Sequence, residues 1–492
     1  MRNAAIRIKG VGEATVSPLL FGTFVEFIEN CIVGGVYEPH SPLSDNRGFR
    51  TDVLEKAKAW GPKLLRFPGG TVIGTYHWQD SIGPKHERRT HRNVVWGGYI
   101  DSGFGTAEFV QYCREIGAEP MICVNMPTGT EQEAADWVEY CNGTGDSYWA
   151  NLRRSHGYPE PFAVKYWCIG NESYALPDLG RHHDVQRYIT DAWEFVKYMK
   201  LVDPSIRIVL VGNLESMDWN KSVLDSMHAV CDFLSLHYYA GENGKGVYGP
   251  FMGAQECFQK VERVKALLDT YPPQPTDWNR WYRFPCRQGP ITVAMDEWNI
   301  WMTPDGDAPQ ENPHGLQATY LWRDALWTAV FLNGMINRAS YIGCANLAQM
   351  VNVIAPIMAD AQGSWCQTTY HPLRHYTALA SGKQLELEVN GPALVQEICK
   401  DMPAICAAGV VKDDVFRLFV INLSDEPIQL RVGGARITSG YVQYADELLA
   451  HNDCNKESVQ YVDAAMETDG SVRLLPHSIS YLTATGDAGA LL

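Results

Sequence analysis

The sequence predicts a (β/α)8 TIM barrel followed by an antiparallel, jelly-roll-like β-sandwich, and three observations support this prediction. Short apolar runs rich in β-forming residues alternate with helical segments as far as about residue 382. Eight such runs occur, and several are apolar along nearly their whole length, as strands covered on both faces should be. Beyond residue 383, helical periodicity is nearly absent, and short strand-like runs are separated by Gly, Asp, Asn and Pro.

The eight runs are the candidate strands of the barrel. A doubly wound open sheet is the alternative, but that fold would need a glycine-rich phosphate-binding loop after an early strand. The run Arg66-Phe-Pro-Gly-Gly70 is not such a loop, because it matches neither the GxGxxG nor the Walker pattern. The candidate strands are residues 19–27, 63–70, 119–126, 164–172, 206–213, 233–239, 291–299 and 339–349.

Two of the intervening helices have clear signals at their ends. Thr130 is predicted to cap one helix, with Glu133 reaching back to complete a capping box. Another helix is predicted to begin at Thr106, to turn Phe109 inward and to end at Gly117.

The change of pattern near residue 383 predicts the domain organisation. Residues 16–382 are expected to form the barrel and residues 383–492 the sandwich, while residues 1–15 alternate in polarity and are expected to add a strand to the sandwich. We interpret the sandwich as a structural buttress, with a carbohydrate-binding module as the alternative. Its strands are predicted at residues 385–389, 393–398, 404–411, 415–423, 428–432 and 472–485.

The charge balance disfavours polyanionic partners. The chain has 41 Lys and Arg against 57 Asp and Glu, a formal charge of −16 that would repel nucleic acid or an anionic membrane surface. The basic run at residues 85–92 is short and is interrupted by Glu87. The N-terminus has no apolar targeting segment and no run approaches the length of a membrane span, so we expect a cytoplasmic protein without membrane contact.

The cysteine pattern predicts reduced thiols. The thirteen cysteines are odd in number and scattered, and Cys123, Cys168 and Cys344 lie inside apolar runs. Neither CxxC nor HExxH occurs, and the pair His182-His183 is isolated in a polar segment. We therefore predict neither a metal nor a cofactor.

Two glutamates end the fourth and seventh candidate strands. Glu172 closes the run that begins at Lys165, and Glu297 closes the run that begins at Ile291. The C-termini of barrel strands converge on one face, where catalytic groups lie. Two carboxyl groups there can share acid, base and nucleophilic work, as glycosidic bond cleavage requires. The alternative is a pair of ordinary ion-paired glutamates at loop entrances.

Other side chains that follow these strands suit a sugar site. Asn171 can bind a sugar hydroxyl, Arg66 can keep a carboxylate charged, and Tyr239 offers a hydroxyl group. Trp96 and Trp298 are placed to stack on the apolar face of a sugar ring. The alternatives are a structural ion pair for Arg66 and core positions for the aromatic residues.

A series of motifs, spread in order over the barrel, resembles the α-L-arabinofuranosidases of glycoside hydrolase family 51. The resemblance also extends into the C-terminal domain. The motifs are Leu65-Arg-Phe-Pro-Gly-Gly70, Tyr76-His-Trp78, Ile82-Gly-Pro84, Trp96-Gly-Gly98, Phe104-Gly-Thr106, Trp137-Val-Glu-Tyr-Cys141, Ala150-Asn-Leu-Arg153, Gly170-Asn-Glu172 and Asp296-Glu-Trp-Asn299.

The resemblance implies a retaining mechanism, with Glu172 as acid/base, Glu297 as nucleophile and Arg66 supporting the nucleophile. It also implies four residues around the furanose and a homo-oligomeric assembly. The segment that begins at Thr71 departs from the family's pattern, and because it lines the sugar pocket we expect Thr71 to bear on which sugar fits. The four residues around the furanose are Glu26, Asn171, Tyr239 and Gln349.

We therefore interpret the chain as an exo-acting, metal-independent retaining glycosidase. It is expected to release terminal α-L-arabinofuranosyl units from short oligosaccharides, which a cytoplasmic location favours over intact polymer. Another glycon (β-D-xylose or a galactofuranose) or an endo-glucanase activity is the alternative within this class. A non-catalytic sugar-binding protein is the alternative outside it, and the presence of both Glu172 and Glu297 argues against that reading.

Overall fold

A computed structural model describes residues 2–175, 182–241, 245–273, 283–301, 315–395, 399 and 402–486. The strands, in chain order, are β1 (Arg2–Thr15), β2 (Gly22–Phe24), β3 (Leu64–Phe67), β4 (His91–Arg92), β5 (Tyr99–Ile100), β6 (Glu119–Val124), β7 (Tyr166–Ile169), β8 (Arg207–Val211), β9 (Phe233–Ala240), β10 (Thr292–Ile300), β11 (Ile342–Leu347), β12 (Ile357–Ala359), β13 (Ser364–Cys366), β14 (Lys383–Asn390), β15 (Ile405–Lys412), β16 (Val415–Asn422), β17 (Ile428–Gly433), β18 (Arg436–Tyr444), β19 (Gln460–Asp463), β20 (Ala465–Met466), β21 (Val472–Leu474) and β22 (Ser478–Thr485).

The α-helices among the described residues lie mostly between the barrel strands, and short 3-10 helices supplement them. The α-helices are α1 (Thr51–Trp60), α2 (Thr106–Ile116), α3 (Glu131–Asn142), α4 (Tyr148–Ser155), α5 (Val185–Val202), α6 (Met217–Met227), α7 (Gly249–Leu268), α8 (Trp322–Ile336) and α9 (Tyr370–Leu379). The 3-10 helices are Pro18–Leu20, Thr71–Thr75, Trp78–Ser81, Lys85–Glu87 and Gly246–Tyr248.

Eight strands close into a parallel barrel in the order β10-β11-β2-β3-β6-β7-β8-β9. Each of the eight runs chosen from the sequence contains or overlaps one of these strands, so the predicted (β/α)8 barrel is confirmed. Most of the strands are shorter than the runs, because the runs include polar residues that leave the sheet at its carboxyl edge. This edge is where a barrel of this kind carries its functional groups.

The predicted helix signals are largely correct. The helix α2 begins at Thr106 and ends before Gly117, whose φ of 72° provides the left-handed turn that a glycine adopts without strain. At α3, the Thr130 hydroxyl accepts a hydrogen bond from the amide of Glu133 at 3.1 Å. The Glu133 carboxylate does not complete the predicted capping box, because it lies 3.1 Å from Nδ1 of His77 instead.

The thirteen cysteines are all free thiols, as predicted. Cys123 and Cys168 lie opposite each other on β6 and β7, and Cys344 lies on β11. Together with small and aromatic side chains they fill the lower barrel interior. Their role is packing of the barrel, since a buried thiol behaves as a small apolar side chain.

Ten strands form one further sheet, in the order β19-β18-β22-β16-β15-β14-β1-β17-β21-β20. Every pairing in it is antiparallel except the one between β1 and β17, which agrees with the predicted antiparallel C-terminal domain. Strand β1 joins this sheet because its apolar residues alternate, burying Ile6 and Ile8 while Arg7 and Lys9 remain exposed.

The strand boundaries of this sheet were harder to predict. Strands β18 and β19 have mostly polar, partly exposed sequences and were not anticipated. The run at 393–398 is not a strand where it is described, since Ala393 makes only an isolated bridge to Pro403, and residues 396–398 lie outside the described ranges. The run at 472–485 is two strands, β21 and β22, rather than one.

Two histidines of α9 pack against this sheet, of which His371 is buried and His375 is half-buried. Nδ1 of His371 lies 2.7 Å from the hydroxyl of Tyr461, and Nδ1 of His375 lies 2.6 Å from the hydroxyl of Tyr441. Burial lowers the pKa of each histidine to about 4, and the charge of Arg374 adds to the effect. Both rings are therefore neutral in the folded protein near neutral pH.

These histidines predict acid sensitivity. A histidine whose pKa is lowered in the folded state takes up its proton at a higher pH when the protein is unfolded. Protonation therefore favours the unfolded state, and the free energy of unfolding should decrease as the pH falls from about 6.5 towards 4. The decrease is up to about 3 kcal/mol for each ring. Denaturant unfolding at a series of pH values should show this loss, and His375→Gln, which cannot titrate, should reduce its slope. An equal slope in wild type and variant would contradict this assignment.

Candidate active site

A small cavity of about 170 Å³ opens at the carboxyl end of the barrel strands. This is the volume of about six water molecules, enough for one small monosaccharide but not for a chain. Its walls come from the loops and strand ends of several βα units. They are formed by Glu26, Ile28, Gly70, Thr71, Trp96, Asn171, Glu172, Tyr239, Glu297, Trp301, Leu316, Gln349, Val353 and Ile354.

Two carboxyl groups face each other across this cavity. Glu172 follows β7, with a backbone φ of 40° that is unusual for a residue other than glycine, and Glu297 lies within β10. One carboxylate oxygen of each, together with one ring nitrogen of His237, lies within 4.8 Å of the others. A separation of about 5 Å is the distance found in retaining glycosidases, whereas inverting enzymes leave about 6.5–9.5 Å for a water molecule.

Two groups donate hydrogen bonds to Glu297, and a third lies within ion-pair distance of it. Nη1 of Arg66 donates to Oε1 at 2.7 Å, and the hydroxyl of Tyr239 donates to Oε2 at 2.9 Å. Nδ1 of His237 lies 3.4 Å from Oε2. These donors orient a carboxyl group that is only 5% exposed.

Arg66 also positions the residue next to Glu172. Its Nη2 donates to Oδ1 of Asn171 at 2.6 Å, which leaves the amide nitrogen of Asn171 available as a donor towards the cavity. The same guanidinium lies 3.7 Å from Asp296 beneath Glu297. One buried guanidinium therefore positions Asn171 after β7 and the two acids of β10, because its planar group can donate several hydrogen bonds in fixed directions.

The glycines after Arg66 make room for these groups. A Cβ on Gly69 would lie 2.2 Å from the side chain of Glu26, and Gly69 has a φ of 144°. A Cβ on Gly70 would lie 3.1 Å from Oε1 of Glu297. The backbone thus passes close to two carboxyl groups, which only glycine permits.

His237 links the two facing glutamates and was not anticipated. Its Nδ1 lies 2.8 Å from Oε1 of Glu172, and its Nε2 lies 3.1 Å from the hydroxyl of Ser235 and 3.5 Å from Asp296. Burial opposes protonation of the ring, but the charges of Glu297 and Asp296 and the hydrogen bond to Glu172 raise the pKa of His237 well above its usual value. The raised pKa favours the protonated ring, whose Nδ1 then donates to Glu172.

Glu26 is a third carboxyl group at the cavity wall. It accepts hydrogen bonds from Nε1 of Trp96 at 2.9 Å and from Nε2 of Gln349 at 2.8 Å. Burial and the charge of Glu297 raise its pKa to about 7, although these hydrogen bonds oppose the shift. Near neutral pH this group is available to a ligand both as an acceptor and as a donor.

Comparison with known proteins shows which family the chain resembles. A model for the alpha-L-arabinofuranosidase 1 domain matches residues 56–263, and one for the alpha-L-arabinofuranosidase C-terminal domain matches residues 296–478. The chain is 32% identical over 493 residues to the probable alpha-L-arabinofuranosidase C of Aspergillus flavus, covering 95% of this chain and 94% of that protein.

The chain belongs to the α-L-arabinofuranosidases of glycoside hydrolase family 51.

Further relatives of this family 51 arabinofuranosidase include solved structures. The family 51 enzyme AbfB of Bifidobacterium longum has a TM-score of 0.88 and 27% identity, covering 98% of this chain and all of the other (100%). The arabinose complex of the Thermotoga maritima enzyme has a TM-score of 0.86 and 32% identity over 99% of this chain and 100% of the other. The intracellular exo-alpha-(1->5)-L-arabinofuranosidase of Halalkalibacterium halodurans is 32% identical over 84% of this chain and 82% of that protein.

Most of the side chains chosen from the sequence meet at the cavity of this arabinofuranosidase. Arg66 does not line the cavity but lies just beneath it. His237, Asp296 and Trp301 were missed, although His237 stands two residues before Tyr239 on one strand and so faces the same side. The chosen residues that line the cavity are Glu26, Thr71, Trp96, Asn171, Glu172, Tyr239, Glu297 and Gln349.

Trp298 is a correction: the structure does not place it at the cavity. Its ring is 1% exposed and stacks on Phe331 of α8 at a centroid distance of 4.9 Å. The cause is a bulge in β10. Ala294 pairs with Ser235 and Glu297 pairs with His237, so a stretch that advances by three residues on β10 lies beside one that advances by two on β9. The bulge turns Glu297 inward and Trp298 outward, and Trp301 lines the cavity in its place.

The group of Glu172, His237 and Glu297 is spaced closely enough to hold a cation. A metal would need an unprotonated nitrogen of His237, whereas Nδ1 is bonded to Glu172 and the pKa of the ring is raised. The three groups therefore fit a hydrogen-bonded triad better than a metal centre, and the absence of a metal or cofactor stays a prediction. No helix among the described residues is long and apolar enough to cross a membrane.

Proposed function

We propose that this chain releases terminal α-L-arabinofuranosyl residues from oligosaccharides by double displacement, with Glu297 as nucleophile and Glu172 as acid/base. The observation that carries the proposal is the facing pair of carboxyl groups, within 4.8 Å, at a cavity sized for one sugar. A cavity of this size favours exo action, because it holds one terminal sugar unit and not a chain interior.

In the first step, Glu297 attacks the anomeric carbon of the terminal furanose and forms a glycosyl ester. Arg66 and Tyr239 hold its two oxygens, so that one oxygen is directed at the sugar while the charge is shared. Glu172 donates its proton to the glycosidic oxygen, and the aglycone leaves as an alcohol. The bond from the anomeric carbon to that oxygen breaks as the bond to Glu297 forms.

In the second step, Glu172 acts as the base. It takes a proton from a water molecule that attacks the anomeric carbon, and the bond to Glu297 breaks to restore its carboxylate. Two inversions give net retention of configuration. The hydrogen bond from His237 keeps the Glu172 carboxyl aimed at the leaving oxygen and then at the water.

The remaining polar residues are proposed to recognise the furanose. Glu26, Gln349 and Trp96 form one hydrogen-bonded group on one side of the cavity, and the amide of Asn171 faces it from another strand. Each can bind a sugar hydroxyl, and an unpaired buried polar group costs about 1–3 kcal/mol when the wrong sugar is bound.

The proposed substrates are neutral arabinose-containing oligosaccharides, and the proposed location is the cytoplasm. Both are supported by the bacterial relative named as an intracellular exo-alpha-(1->5)-L-arabinofuranosidase, and the location also by buried cysteines such as Cys123 and Cys344, which form no disulfide. The negative net charge of −16 continues to disfavour nucleic acid as a partner. A homo-oligomeric assembly stays a prediction from the family resemblance.

A panel of aryl glycosides tests this proposal. The α-L-arabinofuranoside should have the highest kcat/KM, with β-D-xyloside, galactofuranoside and cello-oligosaccharide far lower. Proton NMR of the first product formed should show the α anomer of arabinose, which identifies retention. A higher kcat/KM for another glycon, or a β product, would overturn the proposal.

Thr71 is expected to affect sugar choice, because it lines the cavity where the chain departs from its family's pattern. Thr71→Val keeps the shape of the side chain and removes its hydroxyl. If the hydroxyl binds the sugar, the ratio of kcat/KM between α-L-arabinofuranosides and other furanosides should change by roughly one to two orders of magnitude. Thr71→Ser is the matched control and should keep most of the ratio, whereas an unchanged ratio in Thr71→Val would show that specificity is set elsewhere.

His237 is expected to act as a positioning residue. His237→Asn removes the positive charge that the raised pKa of His237 favours between Glu172 and Glu297. The acidic limb of the kcat/KM profile should then move to higher pH, with a fall in kcat of about 10²-fold at the optimum. A fall in kcat with no movement of the pH profile would indicate a structural role alone.

A further inference from the structure

Two buried polar side chains near the cavity have no role in the two chemical steps. Ser235 lies on β9, two residues before His237, and Asp296 lies on β10, one residue before Glu297. Ser235 is 6% exposed and Asp296 is 1% exposed, and neither of them lines the cavity. A buried carboxylate is costly unless it is paired, so the partners of Asp296 indicate what it does.

The surroundings of Asp296 favour its ionised form. Burial opposes ionisation, but the hydrogen bond and the charge of His237 lower the pKa of Asp296 below its ordinary value. The charge of Arg66, whose Nε lies 3.7 Å from Oδ2, and the hydroxyl of Ser235 act in the same direction. An ionised carboxylate only accepts hydrogen bonds, so the single hydroxyl proton of Ser235 points to Oδ1 of Asp296 at 2.6 Å.

The direction of this hydrogen bond determines which nitrogens of His237 carry a proton. Oγ of Ser235 lies 3.1 Å from Nε2. Because its own proton is donated to Asp296, the serine oxygen can only accept from Nε2, which must then carry a hydrogen. Nδ1 faces the two glutamates, at 2.8 Å from Oε1 of Glu172 and 3.4 Å from Oε2 of Glu297. Acceptors at both nitrogens favour the doubly protonated ring.

A hydrolytic Ser-His-Asp triad is the alternative interpretation of these three residues, and the geometry argues against it. In such a triad the serine donates to one ring nitrogen of the histidine and the aspartate binds the other. Here Ser235 donates to Asp296, and both lie on the side of the same nitrogen, Nε2 of His237. The Ser235 hydroxyl also does not reach the cavity, so a substrate bound there does not meet it.

We infer that Asp296 and Ser235 are positioning residues, which act through His237 on the acid/base Glu172. Because Glu172 has this role only in the proposed function, the assignment rests on that function. Asp296 supplies the charge that balances an imidazolium, and Ser235 fixes the direction of the ring. The imidazolium then holds Oε1 of Glu172 through both steps and stabilises the carboxylate that remains when Glu172 gives up its proton.

The sign of the expected pH effect follows from the charge that is removed. Loss of the negative charge of Asp296 weakens proton binding by the groups around it, so both limbs of the kcat/KM profile should move to lower pH. Loss of the positive charge of His237 should move the acidic limb in the opposite direction. The charged and titratable groups of the polar network around His237 are Arg66 on β3, Cys123 on β6, Cys168 on β7, Glu172 after β7, Tyr239 on β9, and Asp296 and Glu297 on β10.

Asp296→Asn removes the charge and nearly keeps the shape of the side chain. Its amide can donate to Oγ of Ser235, which turns the serine proton towards Nε2 and favours a neutral ring protonated at Nδ1 alone. We expect kcat to fall by about 10²-fold, because the Glu172 carboxylate loses the imidazolium beside it. Both limbs of the profile should move to lower pH by about one unit.

Asp232→Asn is the matched control. Asp232 is buried and lies 2.6 Å from Nε of Arg207, directly before β9 and therefore at the amino end of the barrel. The substitution makes the same change of charge, and the kcat and the pH profile of the enzyme should both stay as in the wild type.

Ser235→Ala removes the hydroxyl and keeps the charge of Asp296. The expected fall in kcat is about tenfold, the effect of one lost hydrogen bond, with much less movement of the pH profile. Ser235→Thr keeps the hydroxyl and should retain most of the activity. Because neither side chain lines the cavity, KM for the aryl α-L-arabinofuranoside should change little in these variants.

The ring can also be observed directly, in the full-length protein without substrate. Nitrogen NMR of isotope-labelled histidine distinguishes an imidazolium from each neutral tautomer, and the signals missing from His237→Asn identify residue 237. Both ring nitrogens of the wild type should be protonated near neutral pH, whereas Asp296→Asn should lose one of these protons in that range. The wild-type spectrum keeps the test decisive even if Asp296→Asn does not fold.

An unchanged pH profile in a folded Asp296→Asn variant, or a neutral ring in the wild type, would overturn the inference while the proposed function stands. Equal losses in Ser235→Ala and Ser235→Thr would overturn the role given to Ser235. A wild type without arabinofuranosidase activity would instead overturn the proposed function, and NMR would still report the protonation of His237.

Discussion

Glu297→Gln is expected to reduce kcat on every glycoside by at least about four orders of magnitude, because an amide cannot form the glycosyl ester. The change is nearly isosteric, so Arg66 and Tyr239 keep a partner at this position and the fold should be retained. The decisive measurement is mass spectrometry after incubation with a slow 2-fluoro arabinofuranoside. The wild type should carry one sugar on the peptide that contains residue 297, and the variant should carry none.

Glu26→Gln is the matched control for this experiment. It makes the same chemical change at a carboxyl group of the same cavity. The carboxyl group of Glu26, however, is hydrogen-bonded to Trp96 and Gln349 and does not face Glu172. It should weaken sugar binding and still allow labelling at Glu297. If the Glu297→Gln variant is labelled, or if it turns over substrate at a substantial rate, then Glu297 is not the nucleophile.

Glu172→Ala is expected to act in a different way, because it removes a proton donor but not the nucleophile. Glycosides with poor leaving groups should lose about 10²–10⁴-fold in kcat/KM, while aryl glycosides with activated leaving groups should lose much less. Deglycosylation then becomes slow, since no base activates water. Added azide should restore turnover and give an arabinofuranosyl azide, which a wild-type enzyme does not accumulate.

The product of that rescue is itself diagnostic. Attack of azide on the sugar ester at Glu297 should place it on the same face as the original leaving group, so the azide should have the α configuration. Equal losses on good and poor leaving groups, with no azide product, would show that Glu172 is not the acid/base.

The barrel and its pair of glutamates could be predicted from the sequence because both depend on local sequence patterns. Apolar runs mark strands buried on both faces, and Glu172 and Glu297 stand at or near the ends of two of them. The closure of strands into a barrel then brings their ends together without further information. The residues around the furanose came instead from motif resemblance, since Glu26 and Gln349 lie 323 positions apart.

The residues that were missed depend on geometry which a single sequence does not display. His237 lies inside an apolar run, and its contact with Glu172 exists only because β9 and β7 face the same interior. Trp298 was misplaced because it was chosen as the neighbour of Glu297, whereas successive residues of a strand point to opposite sides. The polar strand β18 was missed because its pairing with β19 and β22, and not its hydrophobicity, defines it.

The irregular pairing of β10 also gives adjacent residues different tasks. In a regular strand, Asp296 and Glu297 would point to opposite sides, and one of them would lie among the helices. Here both acids face the interior, while the ring of Trp298 stacks on Phe331 of α8. A substitution at position 298 should therefore act on the contact between the barrel and α8, whereas a substitution at position 297 should act on the chemistry directly.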